Sequence, residues 1–550
     1  MANETNPGYL VQLQSPEGDN VYPVVTAEGI VGNANLGSGS VVNMTFDSAF
    51  VGQKWTLTDG TDETYTGTVG ENLSASVVVK KINTTYTLTC VLGGVTYTAE
   101  VTTKDYYTAL AMALEKFQST ITVTVDSGST VTATFGSTVL TKTSTGTAVF
   151  VVGKAGAWSI KATKGSDSAS GTVTISKSGE SKTLTLTYAN VFGVVWDTSN
   201  SSTVLERLTQ RTDPYGLVTK SVTTEPKPAI GTGSGSSPFD SFLPWSGMKE
   251  CNLDYDGSVK VWKDDSGFSR TGPYVMVWIP EFYFATKTNG TKKYFYIADG
   301  PVSGMKKHPG SGKFIGRYVM DHNCGSTTGG TPLGNKKRAD GRLSAVIGGD
   351  KEGSKWHMYD FATYCAIIFL YVVEFADWNC QKKIGPGITN DSMHSNGDTD
   401  NMKYHTGRTN DWTSDAQNPV QYRWIENLWG NVSQWVDGFN ANGATAYYCN
   451  DPSKYADDTA TGYTNIGTLS DNGWIKDLTV TDNGLLIPKT SGGSATTYIP
   501  DHMYSSIGWD ALSVGGDYSS NAYAGLLYFV ADRTSSYSNP AISTRQMCEP

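Results

Sequence analysis

The residues of this 550-residue chain best suited to recognition chemistry crowd into its last forty or so positions. From Asp517 to Asn539 the chain is rich in Tyr, Ser, Asn and Asp, and it contains no Lys, Glu, Gln, Met or Trp. Tyr supplies large contact area at small entropic cost, and Ser and Asn supply adaptable hydrogen bonds, which is the composition of binding loops. Groups that could do covalent chemistry are sparse by comparison. Seven cysteines (Cys90, Cys251, Cys324, Cys365, Cys380, Cys449, Cys548) are scattered with no Cys-x-x-Cys, so neither a zinc site nor a disulfide framework is indicated. His357 and Cys365 have no partners at metal-ligand or nucleophile spacing, and His502 stands alone. No Ser/His/Asp order, glycosidase-like carboxylate pair or His-Glu-x-x-His is visible. The Asp-x-Asp spacing within Asn390–Asn401 could ligate calcium through several oxygens, but it does not complete an EF-hand and reads first as a solvated loop. Gly231–Pro238 lacks the Lys-Ser/Thr of a phosphate loop and reads as a turn. The expectation is a binding surface without catalysis and without a cofactor, calcium being the one candidate ion.

The elements that must position that surface are mostly β. Sixty Gly, 30 Tyr and 14 Trp with 17% charged residues call for many short strands joined by tight turns. A net charge of -10 leaves no basic stripe to neutralise phosphates, so no nucleic-acid partner is expected. Lys336-Lys337-Arg338, the one compact basic cluster, reads as a solvated loop. The most apolar run, Phe361 to Ala376, is shorter than a membrane span needs and carries Glu374. The first residues lack the basic and apolar regions of a signal peptide, so neither membrane insertion nor export is expected.

In chain order, residues 1–36 hold two short alternating stretches around Ser15–Asn20, read as a hairpin in an attachment or oligomerisation segment. Residues 37–104 and 119–190 each alternate like an immunoglobulin-like sandwich. Thr120–Ser127 resembles the opening strand of the first module, and Gly156–Thr163 occupies the place of Thr84–Cys90, a loose internal duplication. Tyr106–Phe117 is helical by propensity but stands where a closing strand falls, and reads as strand then linker. From residue 191 the composition shifts toward Trp and Phe, marking a larger mixed domain that runs to residue 550. Within it, Val204–Thr209 reads as a short amphipathic helix, and Val275–Phe284 as a strand interrupted at Pro280. Ser354–Gln381 reads as one long buried helix capped by Ser354.

Two segments of this last domain carry a family resemblance. Asn427-Leu428-Trp429-Gly430-Asn431-Val432-Ser433-Gln434-Trp435 resembles the Gly-Asn-Val-x-Glu-Trp signature of the formylglycine-generating-enzyme branch of the C-type lectin fold. Val514-Gly515-Gly516 and Ile542-Ser543-Thr544-Arg545 resemble the Gly-Gly and closing Ile-Gly-Phe-Arg segments of the same branch. Here Gln434 replaces the usual Glu, and Ser543-Thr544 replaces Gly-Phe. Bottom-up, Gly430 permits a close turn, Asn431 can bond loop backbone, and Trp429 and Trp435 are sized to fill a core beneath a binding face. The resemblance therefore implies a scaffold of Trp429, Gly430, Asn431, Trp435, Gly515, Gly516 and Arg545. The fold class expected is mostly β and multidomain: two immunoglobulin-like β-sandwiches followed by an α+β C-type-lectin-like domain.

The enzymatic members of this branch work through a closely placed cysteine pair, whereas this chain offers only Cys449 and Cys548 nearby, far apart in sequence. The non-enzymatic members with a Tyr/Ser/Asn-rich close are variable proteins of diversity-generating retroelements, including phage tail receptor-binding proteins. Their adenine-directed mutagenesis, acting on the first two bases of pyrimidine-ending codons, cannot produce Lys, Glu, Gln, Met or Trp. The resemblance assigns residues 509–545 as the variable segment, with Asp517, Tyr518, Ser520, Asn521, Tyr523, Tyr528, Asp532, Ser535, Tyr537 and Asn539 as displayed ligand-binding positions. Leu526, Leu527, Phe529 and Val530 read as core. It implies a phage tail fibre or tail-tip protein that recognises a bacterial surface protein or glycan. Such a protein would join other tail proteins through its N-terminal segment, form a homotrimer, and be assembled into the virion in the host cytoplasm. The alternatives are a bacterial surface adhesin of the same architecture or, less in keeping with the cysteines, an enzyme of the formylglycine-generating type.

Overall fold

The computed structural model describes residues 40–550 apart from 105–108, 115, 166, 210–214, 216, 218, 303 and 348–354. Of the first 39 residues it describes the strand pairs Leu13–Gln14 with Asn20–Val21 and Val25–Thr26 with Gly29–Ile30. The Ser15–Asp19 part of the expected turn, most of the expected attachment segment, and Ser354 as a helix cap lie outside the described residues. The chain divides into two compact units, residues 1–160 with 171–185 and residues 161–170 with 186–550.

The fold is mostly β and multidomain. Two seven-stranded sandwiches come first, and they share one topology. In the first, the strands in chain order are Ser40–Phe46, Lys54–Thr58, Thr64–Thr68, Ser74–Val79, Thr85–Leu92, Val95–Thr102 and Ala109–Leu114. In the second they are Ser119–Thr124, Thr130–Phe135, Thr138–Thr143, Thr147–Val152, Gly156–Lys164, Asp167–Ile175 and Ser181–Thr185. In both, the first strand sits between the fourth and the seventh, and the remaining four follow the order third, second, fifth, sixth. The seventh strand runs parallel to the first in each case. Alternation sets the buried faces: Val42, Met44 and Phe46 meet Trp55, Leu57, Tyr86, Leu88 and Cys90 in one core, while in the other Ile121 and Val123 are buried and Trp158 stacks on Phe135.

The larger domain is α+β, built on three larger sheets, a four-stranded one that runs Ala229–Ile230, Gly407–Arg408, Val420–Tyr422 and Ile425–Glu426, and a buried helix. A five-stranded sheet centres on Val191–Asp197 and Lys292–Ala298, and a six-stranded sheet places the closing strand Gln546–Cys548 between Lys313–Gly316 and Trp356–Met358. The third sheet runs, edge to edge, Thr464–Thr468, Thr445–Tyr448, Ser433–Asn442, Trp509–Val514, Phe529–Arg533, His502–Ser505, Gly473–Val480 and Leu486–Ser491. Ile542–Ser543 adds to it beside Ser433.

The long helix expected over Ser354–Gln381 is shorter, Phe361–Phe375. Trp356–Met358 is drawn into the sheet by the closing strand, and Asp360 is the cap, its carboxylate accepting the Thr363 amide at 2.7 Å. Left-handed Ala376 ends the helix. Every residue of its 15 is buried, in keeping with an apolar circumference. The helix expected at Val204–Thr209 is extended instead, because Val204 bridges Asp377 and Glu206–Arg207 pairs with Val194–Val195. Lys336 and Lys337 of the basic cluster lie in a loop, half-buried and exposed, but its third member does not. Arg338 is buried at the start of a helix, Arg338–Ile347, and its guanidinium donates to the Phe439 carbonyl at 2.6 Å and to Asp457. Among the described residues no helix is long and apolar enough to cross a membrane.

Candidate functional site: an aromatic face framed by the closing segment

Arg545 is the anchor of the frame. It is wholly buried, and its guanidinium donates to Gln434 Oε1 at 2.6 Å, to the Gly316 and Arg317 carbonyls at 3.0 and 2.9 Å, and to the Glu426 and Asn427 carbonyls. Burial pushes its pKa down to about 10, which still leaves it charged at neutral pH. The Gln434 amide turns its Nε2 to the Asn427 carbonyl at 3.0 Å. A neutral amide here supplies both an acceptor and a donor, which a carboxylate could not.

The signature loop is bonded tightly to the loop that follows the helix. Trp429 Nε1 donates to the Gly385 carbonyl at 2.9 Å, and Trp435 Nε1 to Lys336 at 3.0 Å. Asn431, left-handed at φ 65°, accepts the His394 amide and donates to the His394 carbonyl. The tip of the closing segment rests on this loop: Tyr518 N–H donates to Asn431, Asn521 N–H to Thr389, and Gly430 N–H to Gly515. Gly515, at φ 88°, lies so near Leu428 that a Cβ would sit 2.6 Å from its carbonyl oxygen.

Register then assembles an aromatic face that the closing segment alone does not reveal. Trp474 pairs with His502, and Tyr504 with Val530, which is itself opposite Ser513. Trp474, His502 and Tyr504 thus share one face of the sheet, while Ile475, Met503 and Phe529 point into the core. Tyr523 swings over this row, with ring centroids 5.1 Å from Trp474 and 4.9 Å from His502. His502 lies 4.4 Å from Tyr504, and Tyr504 lies 6.1 Å from Tyr528. His502 is therefore not alone, as the sequence reading had it, but the centre of a five-ring cluster. Burial lowers its pKa, so it is neutral. Its buried Nδ1 and the buried Oδ1 of Asp532 have no hydrogen-bond partner. Burial raises the Asp532 carboxyl as well, with Arg533 beside it opposing the shift. The face offers large ring area edged by hydroxyl and carboxyl groups, the mixture that recognition surfaces use.

The displayed positions named from sequence fall into two groups. Tyr523 and Tyr528 join the aromatic face, and Asp532 adjoins it. Asp517 holds a local turn, accepting from the Ser519 amide and hydroxyl and from the Ser520 hydroxyl. Asn521 is exposed beside Tyr523, and Tyr518 is half-buried. The second group turns away into packing. Ser535 is buried and donates to Asp458 at 2.7 Å, a correction to its reading as displayed, because the neighbouring loop supplies a carboxylate that draws the hydroxyl in. Tyr537 packs on a small core cluster and lies under the Arg533 guanidinium. Asn539 bonds the Tyr537 hydroxyl and the Ala541 amide. Leu526, Leu527, Phe529 and Val530 are buried. Trp474, His502 and Tyr504 were missed by sequence reasoning; the alternation His502-Met503-Tyr504 was the available signal.

Other candidates take structural places. Asp400 accepts from Arg317 at 3.1 Å and from Tyr318, and Asp391 and Asp398 flank His394 at 3.4 and 2.7 Å. The acidic loop thus spends its carboxylates on cations of the protein, leaving the calcium reading no cage. Among the described residues no group of three or more His, Cys, Asp or Glu could hold a metal ion. Among the described residues none of the seven cysteines is in a disulfide. Cys449 follows the strand Thr445–Tyr448, while Cys548 lies in a separate cluster with Cys251, where burial pushes both of those thiols up to about 12.

No family model and no curated protein matches the chain. Among solved structures it is similar to the Major Tropism Determinant I1 and P3c variants, each at 10% identity and TM-score 0.24, covering 70% of this chain and 82% of theirs. It is similar also to the Bacillus anthracis TIE protein, at 11% identity and TM-score 0.14 over 35% of this chain, and it spans about half of that protein, 49%. Likenesses this slight transfer no function, which has to be read from the site itself.

Proposed function

We propose that this chain is a receptor-binding protein of a phage tail fibre or tail tip, which recognises a bacterial surface protein or glycan through the aromatic face and the Asp517–Tyr528 segment above it. The observation that carries the reading is the five-ring cluster of Trp474, His502, Tyr504, Tyr523 and Tyr528, partly open to solvent and set on a sheet that the Arg545 frame holds rigid. Rings with two rotatable bonds lose little entropy on binding, and a rigid support limits the cost further. The mechanism is non-covalent. Buried, protonated thiols at Cys251 and Cys548 support a role without cysteine catalysis. The resemblance to retroelement variable proteins makes Asn521, Tyr523, Tyr528 and Asp532 the positions where diversification alters the ligand. Copies joined in a homotrimer, through the N-terminal segment or the head, would add avidity to modest single-site affinity.

The test is saturable binding of the full chain to bacterial cells, with protease-treated and periodate-treated cells separating a protein ligand from a glycan. Failure to bind any cell tested contradicts the reading. A near-copy of the closing coding segment, differing at adenines beside a reverse transcriptase gene, would support diversification.

A further inference from the structure

We propose that the cavity beside the Arg423-Trp424 turn is a second ligand site, separate from the aromatic face, that takes one neutral sugar ring. The turn is the first observation. Tyr422 pairs with Ile425, so Arg423 and Trp424 alone link two antiparallel strands, with φ 48° and 72°. Two-residue turns of this kind favour Asn-Gly, and bulky residues held there are strained. Such strain gathers at ligand clamps. Arg423 has an internal reason to be there, since its guanidinium grips the buried Glu374 carboxylate. Trp424 is only half-buried, with the Lys263 ammonium over its ring, and its remaining surface lines the cavity.

The second observation is the cavity's chemistry. It holds about 240 Å³, below the roughly 300–1,000 Å³ of drug-sized sites, so it suits a single ring. Its wall is Tyr404 against His405, ring centroids 4.0 Å apart, with Trp424 edge-on to His405 at 5.8 Å. Its charges are already matched. Glu250 is paired with Arg270 and Lys263, both at 2.7 Å. Asp240 takes the Tyr404 hydroxyl at 2.7 Å, His405 at 3.0 Å and Arg423 at 2.8 Å. Burial, with Arg423 close by, keeps His405 neutral. An incoming ion would meet no uncompensated charge. A ring with one face of C–H bonds and a rim of hydroxyls would meet aromatic surface and the part-exposed Lys263 ammonium together.

The experiment is a ligand-observed NMR titration of the full chain with methyl glycosides of glucose, galactose, mannose, rhamnose and N-acetylglucosamine. At least one is expected to bind saturably, to weaken at least about tenfold in Trp424→Gly, and to be unaffected by Tyr523→Ala. Glycine is the residue type that φ 72° favours, so this variant keeps the turn. Tyr404→Ala, which removes the other wall, is expected to weaken the same glycoside. The proposal is overturned if no glycoside binds, if binding survives both cavity variants, or if it is lost in Tyr523→Ala, which would place the sugar on the aromatic face. Loss of cell binding in Tyr523→Ala with glycoside binding intact would separate the two sites.

Discussion

Arg545 donates its Nε proton to Gln434 Oε1 at 2.6 Å across 111 positions of sequence, and this bond ties the end of the chain to the signature strand. The remaining guanidinium protons go to four backbone carbonyls, so one side chain closes the frame on which the candidate site rests.

Arg545→Lys is expected to destabilise the larger domain strongly, because an ammonium cannot replace a planar fork of five donors. Removing the side chain in Arg545→Ala leaves buried carbonyls and Gln434 unpaired, at a cost on the order of 3–5 kcal/mol. Denaturant titration followed by tryptophan fluorescence measures both.

Gly515→Ala and Gly443→Ala separate close approach from backbone conformation. Both glycines are left-handed, but a Cβ at Gly515 would lie 2.6 Å from the Leu428 carbonyl, whereas nothing lies within 4 Å of one at Gly443. The Gly443 variant should lose about 1 kcal/mol, and the Gly515 variant clearly more. Equal losses in thermal unfolding would contradict this account of the frame.

Asp501 supplies a pH dependence. It is fully buried beneath the closing segment, accepts the Leu527 amide at 2.6 Å, and burial pushes its pKa up to about 8. Between the ordinary carboxylate value near 4 and about 8, the folded protein keeps a proton that the unfolded chain has released. Stability from this group therefore falls as pH rises through that window and levels off above it. Asp501→Asn should remove the decline, on the order of a few kcal/mol across the window, while keeping an acceptor for Leu527. Denaturant midpoints of the two proteins measured from pH 5 to about 9 check the sign. Parallel profiles would contradict it.

Much of the architecture was legible in the sequence because it follows from local alternation. The strand openings at Val41 and Thr120, and the correspondence of Gly156–Thr163 with Thr84–Cys90, match the shared topology of the sandwiches. Arg545, Trp429 and Trp435 are buried in the frame, as residues of their type at those motif positions imply. What escaped depended on long-range pairing. Trp356–Met358 looks helical until Gln546–Cys548 arrives beside it from the far end of the chain. Val204 looks amphipathic until Asp377 bridges it. The aromatic face escaped for the same reason: Trp474, His502 and Tyr523 are distant in sequence, and only sheet register brings their rings together. Ser535 shows the converse, a polar residue withdrawn from display by Asp458.

The most direct test of the account is the affinity of the full chain for bacterial cells that it binds, comparing Trp474→Ala/Tyr523→Ala with Leu343→Ala. Leu343 is exposed on the helix Arg338–Ile347 and takes no part in the aromatic face. The double variant is expected to keep its unfolding midpoint within about 1 kcal/mol and to lose binding by about a hundredfold or more, while Leu343→Ala binds as the parent does. Unchanged cell binding in a folded Trp474→Ala/Tyr523→Ala protein would contradict the assignment of this face as the receptor-binding surface.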